Sequence, residues 1–546
     1  MTVNRYEKVE IPVPSPTCAI LRAPDGTERP LPSLSVTDPE FCYDGMGLET
    51  VHAKGEHHVL RFFPDLCGTY TLIFHDTEKK IRVMRGKHHG YVEVSKCDPR
   101  YFAFSDGTPY MPIGINLAFP SAIPKKEGGF GTFGMRQYER WFRTCAENGV
   151  TMARIWLGHE YFCPDTLEVG QFDPIKIAKI DAIVDMARRY GLRLKLVIEQ
   201  FRYFNYDKKA DSDSYEDDVF RKFNKNLYKN GRRCESSEEW LADPVWQDAW
   251  LEKIAALAAR LSGDPTVFAI ELWNEMNCMP KKHLNAWNLR MLPAVKALFP
   301  HHLVTNSWGS LDSDRELETY GNFCWEASDL KEIHRYLDRG AKLPICRDDM
   351  IALIKDGLAQ ISDPSKPTVF SESGAVNDCH SGPFPHYLQD HDGILFCDAV
   401  YPPVFLGAAD CGNIWHWDAR YVESKNLYHL YRPLRLLCRN LAFDREQFTH
   451  EAVETEDMIL LLLRGKTTTI GYLRNKNETW QTRLRDGKEN TPITDKMLCL
   501  PVNGVMKSVS IRKNGRDRLS FSDGKLTVHH LEFGALLKWT HSPASE

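Results

Sequence analysis

The 546-residue chain has no CxxC pair, no HxH or HExxH, no Gly-rich phosphate loop and no GxSxG elbow. Those absences exclude dithiol redox chemistry, zinc peptidase sites, nucleotide-binding loops and the usual serine hydrolase arrangement. No window approaches the ~20 apolar residues that a membrane helix requires. Fifteen cysteines are scattered without regular spacing, several of them in apolar or helical stretches, as with Cys145 and Cys438. They read as reduced core thiols and not as a disulfide framework. Neither sign of charge dominates: 69 basic residues face 74 acidic ones, for a net charge of −5. Such a balance offers no field for nucleic acid or an anionic membrane and points to an uncharged ligand. The N-terminal MTVNRYEKVEIPVPSP lacks the apolar centre of a secretory signal, so a cytoplasmic location is expected.

What the chain does have is a pair of glutamates placed alike. Ala269 to Asn277 (AIELWNEMN) and Pro367 to Ala375 (PTVFSESGA) each run an apolar, β-branched stretch into Glu275 or Glu372. Such stretches suit buried strands, and a carboxylate where a core strand opens into a loop has lost hydration and needs a reason to be there. A single glutamate of this kind more often caps a loop or pairs with an arginine. Two of them at equivalent strand ends of one parallel sheet are brought to the same face.

Length and patterning give the frame. From about Val3 to Lys96, short alternating runs (Val59 to Phe63, Tyr70 to Phe74, Ile81 to Met84, Tyr91 to Val94) are separated by Gly, Pro and Asp, which predicts a β-sandwich over residues 1–97. Residues 98–440 alternate strands and helices, which demands a parallel sheet. Tyr101 to Leu117 is read as a hairpin leading into a first strand at Met111 to Ile115. Further strands are expected at Met152 to Trp156, Arg193 to Glu199, Val267 to Trp273, Leu303 to Asn306, Lys331 to Tyr336, Thr368 to Glu372 and Asn413 to Trp417. Eight such units predict an α/β fold, a (β/α)8 TIM barrel, with Glu275 closing strand four and Glu372 strand seven. A last helix is expected from about Asn426 to Asn440, kinked or shortened by Pro433. Residues 441–546 return to strand patterning and predict a second β-sandwich. A long insertion, Gln200 to Asp243, leaves the end of strand three, so the aromatic FRYFNY stretch within it, with Arg202 and Tyr203, is expected to wall the pocket.

On these residues the chain resembles clan A of the glycoside hydrolases, most closely family 5, over roughly Tyr101 to Asn440. The signature of that clan is Asn-Glu after strand four and Glu after strand seven. The resemblance implies Glu275 as acid/base, Glu372 as nucleophile and Asn274 as the residue holding the hydroxyl beside the anomeric carbon. Other strand ends supply further substrate-site candidates: Asn116, Arg154, His334 and Tyr336 in EIHRY, and Trp415 with Trp417 in NIWHWD. An eighth-strand tryptophan supports the sugar in this clan, and strand alternation would put Trp415 and Trp417 on one face, as it would His334 and Tyr336. Trp156 and Trp273 read as packing. The N-terminal LRFFPDLCGTYTLIF looks like the immunoglobulin-like module that often precedes such barrels.

The chemistry expected is retaining hydrolysis of a β-glycoside, with exo-action on small imported oligosaccharides or glycosides. An endo-glucanase or endo-mannanase and an inert glycan-binding barrel are the alternatives. Glu372 is expected ionised, held so by Arg154 and Tyr336, and Glu275 protonated through the nearby negative charge. The carboxyl groups are expected at roughly 5 to 5.5 Å, since inversion requires more than ~6.5 Å. A small carbohydrate is the expected partner. No cofactor, metal, nucleic acid or membrane is expected, and a homo-oligomer is left open.

Overall fold

The computed structural model describes residues 1–74, 77–125, 129–166, 168–200, 227–380, 382–512 and 516–541. Period-two burial organises the N-terminal region. One sheet runs in the order Thr2–Asn4, Thr77–Met84, Gly68–Phe74, Cys18–Arg22, Glu28–Pro32, and a second in the order Val9–Val13, Glu49–Phe62, Leu34–Tyr43. Ala19, Leu21, Tyr70, Leu72, Ile81 and Val83 of the first sheet share one apolar core with Val9, Ile11, Leu60 and Phe62 of the second. Alternate residues of Cys18–Arg22 point the other way and are exposed. Val92–Val94 departs from the expected grouping. It pairs antiparallel with Phe102–Phe104, which in turn forms a hairpin with Pro109–Tyr110.

Seven parallel strands follow: β1 (Gly114–Asn116), β2 (Met152–Trp156), β3 (Arg193–Glu199), β4 (Val267–Trp273), β5 (Leu303–Thr305), β6 (Lys331–His334) and β7 (Thr368–Glu372). β1 to β5 make one sheet in sequence order, and β6 pairs with β7. Asp329 N–H to Val304 O (2.9 Å) and His334 N–H to Trp308 O (3.0 Å) join the β5 and β6 segments. β2 and β4 are buried at every position because helices cover one side and converging side chains fill the other. Between the strands lie α1 (Gly134–Asn148), α2 (Pro174–Tyr190), α3 (Pro244–Leu261), α4 (Lys281–Leu298), α5 (Asp314–Gly321), α6 (Met350–Ile361) and α7 (Ile394–Val400), with α8 (Tyr431–Cys438) after the last segment. α2 shows why these boundaries form. The Asp173 carboxylate accepts from the Ile175 and Lys176 N–H groups, Pro174 occupies the first turn, and Gly191 at φ 71° ends the helix in a left-handed turn.

Several boundaries differ from the sequence expectation. β1 starts at Gly114 and not at Met111, and β6 stops at His334, before Tyr336. Asn413 to Trp417 is not a strand, because His416 takes a φ of 59°, which breaks extended alternation. The segment still docks as strands do. Asn413 N–H donates to Phe370 O (3.0 Å) and Trp415 N–H to Ser373 O (2.8 Å), while Asn116 Nδ2 on β1 donates to Asn413 O (3.0 Å). α8 begins only at Tyr431, so Pro433 falls in its first turn, where it has no helical hydrogen bond to forfeit.

After α8 a sheet forms in the order Thr449–Glu454, Met458–Arg464, Thr468–Asn475, Gly534–Thr540, Val505–Ser510, and a second in the order Ile493–Cys499, Lys525–Leu531, Arg518–Ser522. The apolar run from Leu460 to Leu463 divides by alternation. Leu460 and Leu462 meet Leu498, Leu526 and Val528 of the second sheet, whereas Leu461 and Leu463 join the core of the central region. Arg474 Nε on this sheet donates to Asp398 Oδ1 on α7 (2.8 Å), and Tyr472 OH to the same oxygen (3.1 Å). No helix among the described residues is long and apolar enough to cross a membrane. Seven of the fifteen cysteines, among them Cys18, Cys42 and Cys278, are exposed and not in the core as expected, because they stand on solvent-facing strand and loop positions.

Candidate active site

Arg154, near the end of β2, organises the carboxyl-terminal ends of the parallel strands. It is fully buried, and four side chains share its guanidinium. Nε and Nη2 donate to the two oxygens of Glu271 on β4 (2.8 and 2.6 Å), Nη2 also to Asn274 Oδ1 (2.7 Å), and Nη1 to Asn116 Oδ1 (3.1 Å) and Glu372 Oε1 (2.5 Å). Lys195 on β3 stands 3.1 Å from Glu271 and pairs with Glu332 on β6, extending the charge network below the site. Burial alone would raise the Glu271 carboxyl, but Arg154 and Lys195 overcome it and hold it below the usual range.

Glu372, the last residue of β7, accepts from Arg154 through Oε1 and from the Tyr336 hydroxyl through Oε2. Glu275 follows β4 in a left-handed conformation (φ 51°, ψ 57°) that is rare for a non-glycine residue, and its N–H is held by Ser307 Oγ (3.0 Å). Its carboxyl lies over Gly309, where an added Cβ would come 2.6 Å from Glu275 Cδ. His334 Nδ1 bridges the pair, 3.0 Å from Glu275 Oε1 and 3.4 Å from Glu372 Oε2. One oxygen of each glutamate lies within 4.8 Å of the other.

The electrostatics separate the two carboxyls. Burial first, then the Glu372 charge, raises Glu275 to about 8, so it is protonated at neutral pH. Glu372 is also raised, by burial, although Arg154 and the Tyr336 hydrogen bond pull against it. The expectation that these two partners would set its net direction is corrected here: they moderate a shift that burial dominates. Burial, then Arg154, holds His334 well below its ordinary value, so the imidazole is neutral.

The other candidates divide. Asn274 and Tyr336 join the cluster, and Tyr336 does so from the turn after β6, past a register shift between Ile333 and His334. Asn116 is spent within the protein, since Nδ2 donates to Ser371 O and Asn413 O and Oδ1 accepts from Arg154. It braces the arginine and has nothing left for a substrate. Trp415 and Trp417 meet edge to face at 5.0 Å and both rest against Phe119, although His416 breaks the extended backbone between them. Trp417 is wholly buried, edge-on to Trp141 on α1, while Trp415 is partly exposed and rests on Trp156 at 5.2 Å. Trp156 therefore supports Trp415, and Trp273 packs against Trp287 of α4. Arg202, Tyr203 and the whole FRYFNY stretch lie outside the described residues.

Sequence reading missed Glu271, Ser307 and Gly309. Glu271 stands in the AIELWNE string itself, a charged residue inside a buried apolar run, so its signal was present. Ser307 and Gly309 act only through the approach of the β5 loop to Glu275. Among the described residues, two groups have the spacing of metal ligands: Glu275, His334 and Glu372, and, on the loops after β5, β6 and β7, Asp312, Asp338 and His380. In the first, Arg154 and Tyr336 already occupy both oxygens of Glu372, and the guanidinium charge opposes a cation.

A half-buried acid held protonated beside a second glutamate fixed by an arginine and a tyrosine, with oxygens too close for an intervening attacking water, defines a retaining glycoside hydrolase. Residues 120–385 match the family described as cellulase (glycosyl hydrolase family 5), a match that implies the (β/α)8 architecture for that region. Among solved structures, a candidate glycoside hydrolase from Bacteroides vulgatus aligns over 99% of both chains with 12% identity and a TM-score of 0.54, a likeness of fold. A family 5 mannosidase from Rhizomucor miehei aligns over 60% of this chain and 86% of its own (15% identity, TM-score 0.40). A Bacteroides uniformis β-glucuronidase aligns over 86% and 57% (12% identity, TM-score 0.41). The curated proteins contain no match.

Proposed function

We propose that the protein is an exo-acting β-glycosidase that removes a terminal sugar from small glycosides or oligosaccharides by double displacement, with Glu372 as nucleophile and Glu275 as acid/base. The single observation that carries the roles is the unequal partnering of the two carboxyls. Glu372 is aimed by Arg154 and Tyr336, whereas among the described residues no arginine or lysine pairs with Glu275, which keeps its proton to about 8. Glu372 Oε attacks the anomeric carbon as the glycosidic C–O bond breaks, and Glu275 transfers its proton to the departing oxygen. Glu275, now anionic, takes a proton from water, whose oxygen displaces Glu372 and restores both groups. His334, neutral, donates from Nδ1 to whichever carboxylate is charged at that step. Asn274, locked by Arg154 through Oδ1, turns its Nδ2 to the sugar hydroxyl beside the anomeric carbon.

Exo-action is supported by the aromatic inventory. Of the thirteen tryptophans, all but Trp415 are buried, which suits one stacking subsite better than an extended groove. We further infer a closed (β/α)8 barrel at 98–440, with the 411–415 segment as its eighth stave, between β-sandwiches at 1–97 and 441–546. A reducing, cytoplasmic setting is supported by cysteines kept as thiols in the core, such as Cys145, Cys397 and Cys438.

The test is release of p-nitrophenol from a panel of aryl β-D- and α-L-glycosides by wild type, Glu275→Ala and Glu372→Ala, with azide rescue. Turnover by wild type, loss in both variants and an α-glycosyl azide from Glu372→Ala on a β-glycoside are expected. Silence across the panel with activity on a β-glucan or β-mannan would replace the exo reading by the endo one. Silence on both would leave an inert glycan-binding barrel.

A further inference from the structure

A cavity of about 510 Å³ opens at the end of the parallel strands opposite the glutamates. Its wall includes Thr151, just before β2, and Arg193, the first residue of β3, whereas the catalytic cluster stands level with the last residue of β3, where Asn274 N–H donates to Glu199 O (2.8 Å). The length of a seven-residue strand, about 20 Å at ~3.3 Å per residue, therefore separates the two places.

Four arginines line this cavity, Arg193, Arg435, Arg439 and Arg445, and no aspartate or glutamate does. Buried arginines elsewhere in the chain carry carboxylates: Arg61 pairs with Glu10 and Asp181, Arg154 with Glu271 and Glu372, and Arg474 with Asp398. The four on this cavity are less enclosed, Arg193 and Arg435 half-buried and Arg439 and Arg445 exposed. None of these four forms an ion pair among the described residues. Arg193 donates to the Pro265 carbonyl and Arg445 to that of Gly107, and Arg435 and Arg439 make no side-chain hydrogen bond. All four side chains share the wall of this one cavity, and like charges gathered on one wall repel one another. In a chain of net charge −5, a concave cluster of positive charge with no carboxylate of its own attracts anions. One wall is apolar. The Phe104 and Tyr110 rings lie 4.8 Å apart, with the Arg193 guanidinium 5.2 Å from Phe104.

We propose that this cavity is a binding site for a small organic phosphate. The planar guanidinium fork matches phosphate oxygens two at a time, and four forks exceed what one carboxylate can use. The volume, in the range of ordinary small-molecule sites, and the Phe104 and Tyr110 wall leave room for the organic part, which inorganic phosphate would not fill. The site is separate from glycoside hydrolysis and stands whatever sugar the enzyme accepts.

Isothermal titration at constant ionic strength tests it, using glucose 6-phosphate, AMP and inorganic phosphate on the full-length wild type and on the Arg435→Gln/Arg439→Gln double variant. The expected result is saturable binding of glucose 6-phosphate or AMP, tighter than inorganic phosphate, weakened at least tenfold in the double variant while its thermal midpoint and its circular dichroism spectrum stay native. Both arginines lie at the end of α8, where a cation also offsets the helix dipole. If that is their whole role, the double variant loses thermal stability and wild type binds neither organic phosphate, which overturns the proposal. Equal binding by both proteins, or binding no tighter than inorganic phosphate, overturns it as well.

Discussion

Glu271 grips Arg154 by two parallel hydrogen bonds of 2.8 and 2.6 Å, and through that arginine a residue that never meets solvent sets the position of Glu372 and Asn274. Both partners are completely buried, so neither charge can be hydrated if the other is removed. Glu271→Ala is expected to destabilise the protein by about 3–5 kcal/mol in chemical denaturation. A loss within ~1 kcal/mol would show that water or Lys195 compensates.

Glu275 must carry its proton to act as an acid, and that proton leaves at about pH 8. The kcat/KM profile on an aryl glycoside with a poor leaving group should fall above about pH 8, and its acidic limb, set by Glu372, should lie above the ordinary glutamate range. Glu275→Gln should abolish the alkaline limb together with most activity.

The same raised carboxyl makes stability depend on pH. The folded state binds a proton that the unfolded chain, with glutamates near 4.3, releases earlier, so this contribution is complete below about pH 4 and is lost as pH rises towards 8. Glu275→Gln should therefore gain stability relative to wild type as pH rises from 5 to 8. A difference constant across that range in denaturation curves would count against the assignment.

Tyr336 donates to Glu372, and deleting one hydrogen bond to a charged group forfeits about 1.5–3 kcal/mol. Tyr336→Phe is expected to lower kcat/KM by roughly tenfold to a hundredfold and to move the acidic limb upward, since the carboxylate loses a donor.

The two eighth-segment tryptophans should respond oppositely. Trp417→Ala empties a fully buried site and should cost about 3–5 kcal/mol of stability. Trp415→Ala should cost far less stability than Trp417→Ala while raising KM, because its indole is partly exposed, resting on Trp156, Trp417 and Phe119. Equal loss of stability in both would remove Trp415 as a platform.

How far the site was legible depends on the kind of signal. Glu275, Glu372 and Arg154 were readable because a charged residue within or ending a buried apolar run is costly wherever the chain goes. The unequal burial of Trp415 and Trp417 was not, because alternation presumes an extended backbone and one left-handed residue, His416, interrupts it. Asn116 looked like a substrate contact from its place at the end of β1, yet its amide is consumed by Ser371, Asn413 and Arg154, which converge on it from elsewhere in the chain.

Taken alone, the sequence determined the alternation of strands and helices, the strand-rich ends and the two glutamates at strand termini, since periodicity and the cost of burying charge are local properties. Only the tertiary structure decided that His334 stands between the carboxyls, that burial outweighs Arg154 in raising Glu372, and that four unpaired arginines gather at the opposite end of the strands. Those outcomes turn on distances between residues remote in the chain and on how much water each group loses, and neither quantity is written in local sequence pattern.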